Sequence, residues 1–383
     1  MRKSSIKYLI IFFIINSACK DEFILETKNY EPILVIDGMI TNEPSPYEIK
    51  LSLSAPINKP QNIPFENCTI LLHENGIRSE AFTETEPGLY VTSPGGIQGI
   101  TGNSYSISIT TPNGKKYYTE PQEIKHPVEI ELIYADFVYT ELEDKEGIPF
   151  GLPGYQFYTD TKITPSQENY YLWKMEETFQ YTADYHLYAI WNGRDILING
   201  ADTITEYEDW YRCWKTQNVN YIFAGKTNNL SIPKINNQPL HFVGTDSRKL
   251  QERYSLLLKQ YTINKDAFYF WKRVEEHNSE ENLLITKQPY NISGNIKNLN
   301  NTNETVFGYF TVGSVLKKRI FINAPVTDFY FDICYVDIDG STLPPPHYIV
   351  KLENGSGGVV KESCVDCRSR GGKSIKPDFW IDN

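Results

Sequence analysis

Near the C-terminus, Cys364-Val365-Asp366-Cys367 has the spacing of a redox dithiol, half a zinc site or part of a disulfide framework. A redox pair needs a thiol whose pKa is lowered at a helix N-terminus. Here Arg368, Ser369, Arg370, Gly371 and Gly372 follow, which is loop sequence. A zinc site needs a second ligand pair, and Cys213 and Cys334 supply the number without a knuckle spacing. Outside the cytoplasm such thiols oxidise. Cys213, Cys334, Cys364 and Cys367 are therefore the candidates for two structural bridges, with Cys68 left as a free, buried thiol.

Other chemistry-bearing patterns are weaker. Gly371-Gly372-Lys373-Ser374 ends like a phosphate-binding loop, but Cys367 stands where the first glycine belongs and no buried strand leads in. Asp337-Ile338-Asp339-Gly340 pairs two carboxylates but lacks the twelve-residue calcium loop and its terminal Glu, and reads as a solvated hairpin turn. The six histidines never fall within five residues of one another, and neither a G-x-S-x-G elbow nor an H-E-x-x-H helix is present. No catalytic residue, cofactor or metal is expected. Tyr181–Trp191 and Tyr207–Trp214 are dense in Tyr and Trp and lack clean alternation, so they read as loops. Tyr181, Tyr185, Trp191, Trp210 and Trp214 are the candidate recognition aromatics, with core packing as the simpler reading.

The N-terminus reads as an address. Arg2, Lys3 and Lys7 precede an apolar run, Tyr8–Ile15, too short to span a bilayer. Ser17 and Ala18 then lead into Cys19, which resembles a bacterial lipobox with Cys19 as the lipidated residue, although Asn16 replaces the usual Leu. Lys20, Asp21 and Glu22 resemble the surface-export signal of Bacteroidota lipoproteins. Asp202-Thr203-Ile204 resembles a short O-glycosylation motif of that phylum, with Thr203 as acceptor.

The rest of the chain must position whatever site exists. With 48 acidic against 37 basic residues, it does not suit a nucleic-acid backbone. Its 27 Tyr, 19 Phe and 6 Trp against 3 Met favour strands. Residues 1–18 are read as signal peptide, 19–32 as tether, 33–125 as an immunoglobulin- or fibronectin-like sandwich and 126–383 as a larger β-rich domain with one short helix; the fold class is mainly β. Ser104–Ile109 alternates polar and apolar, and Pro112-Asn113-Gly114 turns the chain toward Lys115–Glu120. In the second region, Tyr171, Trp173, Met175 and Phe179 fall on one side of a strand. Asn264 caps a helix carrying Asp266, Ala267, Phe270, Trp271 and Val274 at helical spacing. Thr305–Ser314 and Arg319–Asn323 read as a hairpin pair, and Asp328–Asp337 as a buried strand.

Three groups of segments carry a resemblance: Val35–Thr41 with Lys50–Pro56; Asp266–Lys272 with Asn295-Ile296 and Gly308-Tyr309-Phe310; and Cys364–Trp380. Together they resemble the Bacteroidota lipoproteins catalogued as domain-of-unknown-function family 4249. The resemblance implies an outer-membrane surface lipoprotein, often encoded beside a TonB-dependent transporter, and transfers no catalytic residue. The resulting expectation is a non-enzymatic, cell-surface, lipid-anchored accessory that captures a ligand for such a β-barrel partner. A free-standing adhesin or glycan-binding module is the alternative, and a surface hydrolase with a dispersed site the third reading.

Overall fold

A computed structural model describes residues 31–56, 61–143, 146–162, 169–199, 210–227, 234–280 and 294–382. The chain is mainly β. In order, its strands are β1 Leu34–Ile40, β2 Glu48–Leu53, β3 Ile63–Pro64, β4 Thr69–Glu74, β5 Arg78–Ala81, β6 Thr83–Glu86, β7 Leu89–Val91, β8 Ser104–Thr110, β9 Lys116–Thr119 and β10 Gln122–Glu123. The long strands β11 Ile130–Glu143, β12 Pro149–Lys162 and β13 Tyr170–Thr182 follow, then β14 Leu187–Trp191, β15 Ile196–Asn199, β16 Arg212–Lys226, β17 Lys234–Gly244 and β18 Arg253–Ile263. Helix α1, Lys265–Glu280, precedes β19 Ile296–Asn298, β20 Phe307–Asn323, β21 His347–Lys351 and β22 Gly357–Val360.

Residues 33–125 form most of a two-sheet sandwich. Strands β6, β7, β2 and β1 lie in one sheet and β5, β4, β8 and β9 in the other. The alternation read in Ser104–Ile109 buries Tyr105, Ile107 and Ile109 against Ile36, Ile49, Ile70 and Leu72. This sandwich is completed from far along the chain. β19 pairs antiparallel with β9, and the first part of β20 pairs in parallel with β1. Ile296, Val306, Phe310 and Val312 share its core.

β20 corrects the hairpin expected from Thr305–Ser314 and Arg319–Asn323. It is one continuous strand that changes partner: Phe307–Val312 lies along β1, and Gly313–Asn323 runs antiparallel to β18. Lys317 and Lys318, which broke the apolar pattern, face Glu43 and the carbonyls of Ile130 and Glu131. A single sheet thus runs β16-β13-β18-β20-β1-β2 across both regions. Its second half stacks on a three-stranded sheet, β11-β12-β17, and their core holds Tyr171, Trp173, Met175, Phe179 and Phe157. The other face of β13 is buried too, because Tyr170 and Leu172 pack under α1.

Asp328–Asp337 is not a buried strand. Its backbone meets no continuous ladder, and Tyr330, Ile333 and Tyr335 are exposed. The two aromatic segments read as loops contain strand instead: Leu187–Trp191 pairs with β15 and β21, and β16 begins at Arg212.

Gly308 marks the β1–β20 junction. Its φ is +85°, and a Cβ there would meet the Ile36 carbonyl oxygen at 1.9 Å. The Cβ position is fixed by its own backbone and the oxygen belongs to main chain, so neither can swing aside. Gly308→Ala is expected to cost more than about 4 kcal/mol. Thermal unfolding checks it, and a variant within about 1 kcal/mol of the parent would contradict this junction.

The β11–β12 hairpin outgrows its sheet. β11 follows β12 as far as Glu143 opposite Pro149, whereas β17 and the Thr245 amide that follows it cover β12 only from Pro153 onward. The remainder is a two-stranded arm. Tyr139 is 69% exposed, and Leu142, Ile148 and Phe150 are also exposed.

Candidate functional site

Cys19, Lys20, Asp21, Glu22 and Thr203 lie outside the described residues. The four candidate bridge cysteines form two disulfides, Cys213–Cys367 and Cys334–Cys364. The first ties the tail to the start of β16. There, the backbones of Trp214 and Lys373 exchange two 2.8 Å hydrogen bonds. Asp184, Cys334 and Cys364 place ligand atoms within 4.8 Å of one another, but both sulfurs are spent in a disulfide and no thiolate remains to bind a metal. Asp184 accepts instead from Arg370 and Arg248. Cys68 is free but only half-buried, which corrects the expected buried thiol; it sits just before β4, and partial burial pushes its thiol up to about 11.

The aromatic candidates mostly serve this stapled tail. Tyr181 is buried, so it offers no recognition surface, and its hydroxyl donates to the Cys367 carbonyl at 2.7 Å. Tyr185 donates to the Cys334 carbonyl. Trp210 lies against the Arg368 guanidinium at 4.7 Å, and Trp191 packs on His347. Trp214 is half-buried, held by its backbone bridge to Lys373. Asp337 is likewise no solvated turn: it is fully buried. It accepts from the Thr342 hydroxyl and from the backbone N–H groups of Gly340, Thr342 and Leu343. The Thr342 hydroxyl, then these amides, hold its carboxyl well below the usual range. A carboxylate saturated by its own turn has little left for calcium.

A second buried carboxylate lies between the stacked sheets of the second half. Glu177 of β13 accepts from Tyr254 of β18 at 2.9 Å, Lys249 at 2.7 Å and Gln217 of β16 at 2.6 Å. His241 of β17 faces it at 3.6 Å. Burial alone would raise its pKa, but His241 and Lys249 outweigh that and pull it down to about 2. An ionised Glu ringed by donors is a structural ion network rather than a proton-transfer group poised near neutrality.

Among the described residues, a cleft of about 480 Å³ opens between α1 and the end of the N-terminal sandwich, within the size range of small-molecule sites. Its floor is aromatic. Phe270 and Tyr309 are buried with ring centroids 4.8 Å apart, and Tyr269 is 40% exposed at the rim. Ala267, Phe268 and Trp271 anchor α1 to the sheet, and the Trp271 indole N–H donates to Thr311. The same helix turns Asp266, Tyr269, Phe270 and Arg273 into the cleft, because i, i+3, i+4 and i+7 share a face. Opposite stand Gln122, Asn295 and a Lys297–Glu120 ion pair at 3.4 Å. Asn295 is locked by a reciprocal bond to the Phe310 backbone. Burial, then the Asp266 charge, raises the Tyr309 hydroxyl pKa, so it stays protonated as a donor.

Sequence reasoning assigned Asp266 and Phe270 to the helix and missed their shared purpose. A signal was present, however. Asp266–Lys272, Asn295-Ile296 and Gly308–Phe310, distant in the chain, all meet at this cleft. A family model described as a domain of unknown function, DUF4249, matches residues 20–319, a span that contains every cleft residue. No curated protein matches the chain.

Proposed function

We propose that this chain, which belongs to the DUF4249 family, is a surface-exposed outer-membrane lipoprotein that captures a ligand beside a TonB-dependent transporter. The cleft under α1 carries this reading. It gathers three aromatic and seven polar or charged side chains into one concavity, with Asn295 held in place by the Phe310 backbone. The lipobox-like sequence ending at Cys19 and the export-like Lys20-Asp21-Glu22 supply the address. Loss of Arg2, Lys3 and Lys7 with the signal peptide makes the net charge three units more negative than −11. Among the described residues no helix is long and apolar enough to cross a membrane, so acyl chains on Cys19 are the proposed anchor.

The β11–β12 arm favours a protein partner. Exposed Tyr139, Leu142, Ile148 and Phe150 are large apolar groups on a two-stranded projection, which is marginal alone and gains by being covered. The protein is read as a binder without catalysis of its own.

Two measurements on cells test this. A fatty-acid analogue should label the protein through Cys19 and not label Cys19→Ala. A tag on the mature protein should co-purify a β-barrel transporter, and Tyr139→Ser with Phe150→Ser should abolish that capture without shifting the melting temperature. An unlabelled protein, or one shielded from protease on intact cells, contradicts the address. Recovery with no transporter contradicts the partnership.

A further inference from the structure

The charges of the cleft are arranged in a way that narrows its ligand. Four charged side chains line it, Glu120, Asp266, Arg273 and Lys297, so it is neutral within a strongly acidic protein. Lys297 and Glu120 satisfy each other across the facing wall. Asp266 and Arg273 have no ion pair among the described residues. They stand seven residues apart on one face of α1, a rise of about 10.5 Å. The aromatic groups lie between them: Tyr269 and Phe270 on the helix, Tyr309 opposite.

A free acid and a free base separated by an apolar floor suit a ligand with a cation at one end and an anion at the other. A neutral sugar uses aromatic faces but does not call for two unpaired opposite charges. A single amino acid is too short, because its ammonium and carboxylate sit on one carbon. An extended chain spans about 3.3–3.6 Å per residue, so two or three residues bridge the gap. We propose that the cleft takes a peptide of two or three residues as its zwitterion, with the ammonium at Asp266, the carboxylate at Arg273 and an apolar side chain on Tyr269, Phe270 and Tyr309. This rests on the cleft being the capture site.

Titration calorimetry on the mature full chain tests it with Ala-Phe-Ala, its N-acetyl form, its C-terminal amide and maltotriose as probes. Asp266, Tyr269 and Arg273 are exposed, so replacing them leaves the fold intact. Each blocked peptide is expected to bind at least tenfold more weakly than Ala-Phe-Ala. Arg273→Gln should erase the preference for a free carboxylate and keep that for a free ammonium; Asp266→Asn should do the reverse. Equal binding of free and blocked peptides overturns the proposal. Maltotriose binding lost in Tyr269→Ala, with no peptide binding, overturns the peptide class and leaves the cleft standing. Ligand binding indifferent to all three substitutions overturns the cleft itself.

Discussion

Replacing Cys213 and Cys367 together by Ser is expected to lower the unfolding free energy by about 5 kcal/mol, the larger of the two disulfide effects. The bridge spans 154 residues, and the chain entropy released on opening a loop grows with the logarithm of its length. Cys334–Cys364 spans only 30 residues, and its loss should cost about 3.5 kcal/mol. Both half-cystines of the longer bridge are fully buried, beside the Tyr181 hydroxyl that donates to Cys367. Opening it therefore also frees the tail that covers the start of β16. Denaturant unfolding of the two double variants checks the order, and equal or reversed losses would contradict it.

Glu177 gives the second large effect, and it depends on pH. Its carboxyl, 1% exposed, titrates near 2 in the folded chain and near 4.5 in an ordinary setting. Above about pH 4.5 it is ionised in both folded and unfolded chains, and its full contribution is present. As pH falls from about 4.5 to about 2, the unfolded chain takes the proton first, and about 3 kcal/mol of stability is lost. Glu177→Gln should destabilise the protein at pH 7 by about 3–5 kcal/mol, because the Lys249 charge loses its counter-ion and one of the two oxygens that Lys249 and Tyr254 use becomes an NH2 donor. The same variant should show a shallower loss of stability across that acid window. A Gln variant with the parent's acid sensitivity would show that other carboxylates set it.

Local patterns were legible where one face decides the structure. Alternation in Ser104–Ile109 buried one side of β8, and Ala267, Phe270 and Trp271 at helical spacing placed α1. The four cysteines of the second region could be named from sequence, but four cysteines allow three pairings and only the fold selects one. Long-range pairing was out of reach. The β1–β20 ladder joins residues some 270 positions apart, and no local period encodes it. For the same reason Gln122, Asn295 and Tyr309 give no sign individually of meeting Asp266 and Arg273. Asp337 misled because a buried carboxylate capping its own turn has the same sequence as a solvated one. For the aromatic segments the simpler reading, packing, is the one the structure bears out. Their Tyr and Trp are spent on a disulfide-stapled tail, while the aromatic floor of the cleft comes from residues that looked like ordinary helix and strand.

The capture claim is tested most directly by a photo-crosslinking residue placed at Tyr269 and activated on intact cells, with the same residue at Ile77, exposed and outside the cleft lining, as control. A discrete small-molecule adduct is expected at position 269 and not at position 77. A protein that reaches the cell surface and yields no adduct at 269, or the same adduct at both positions, would contradict it.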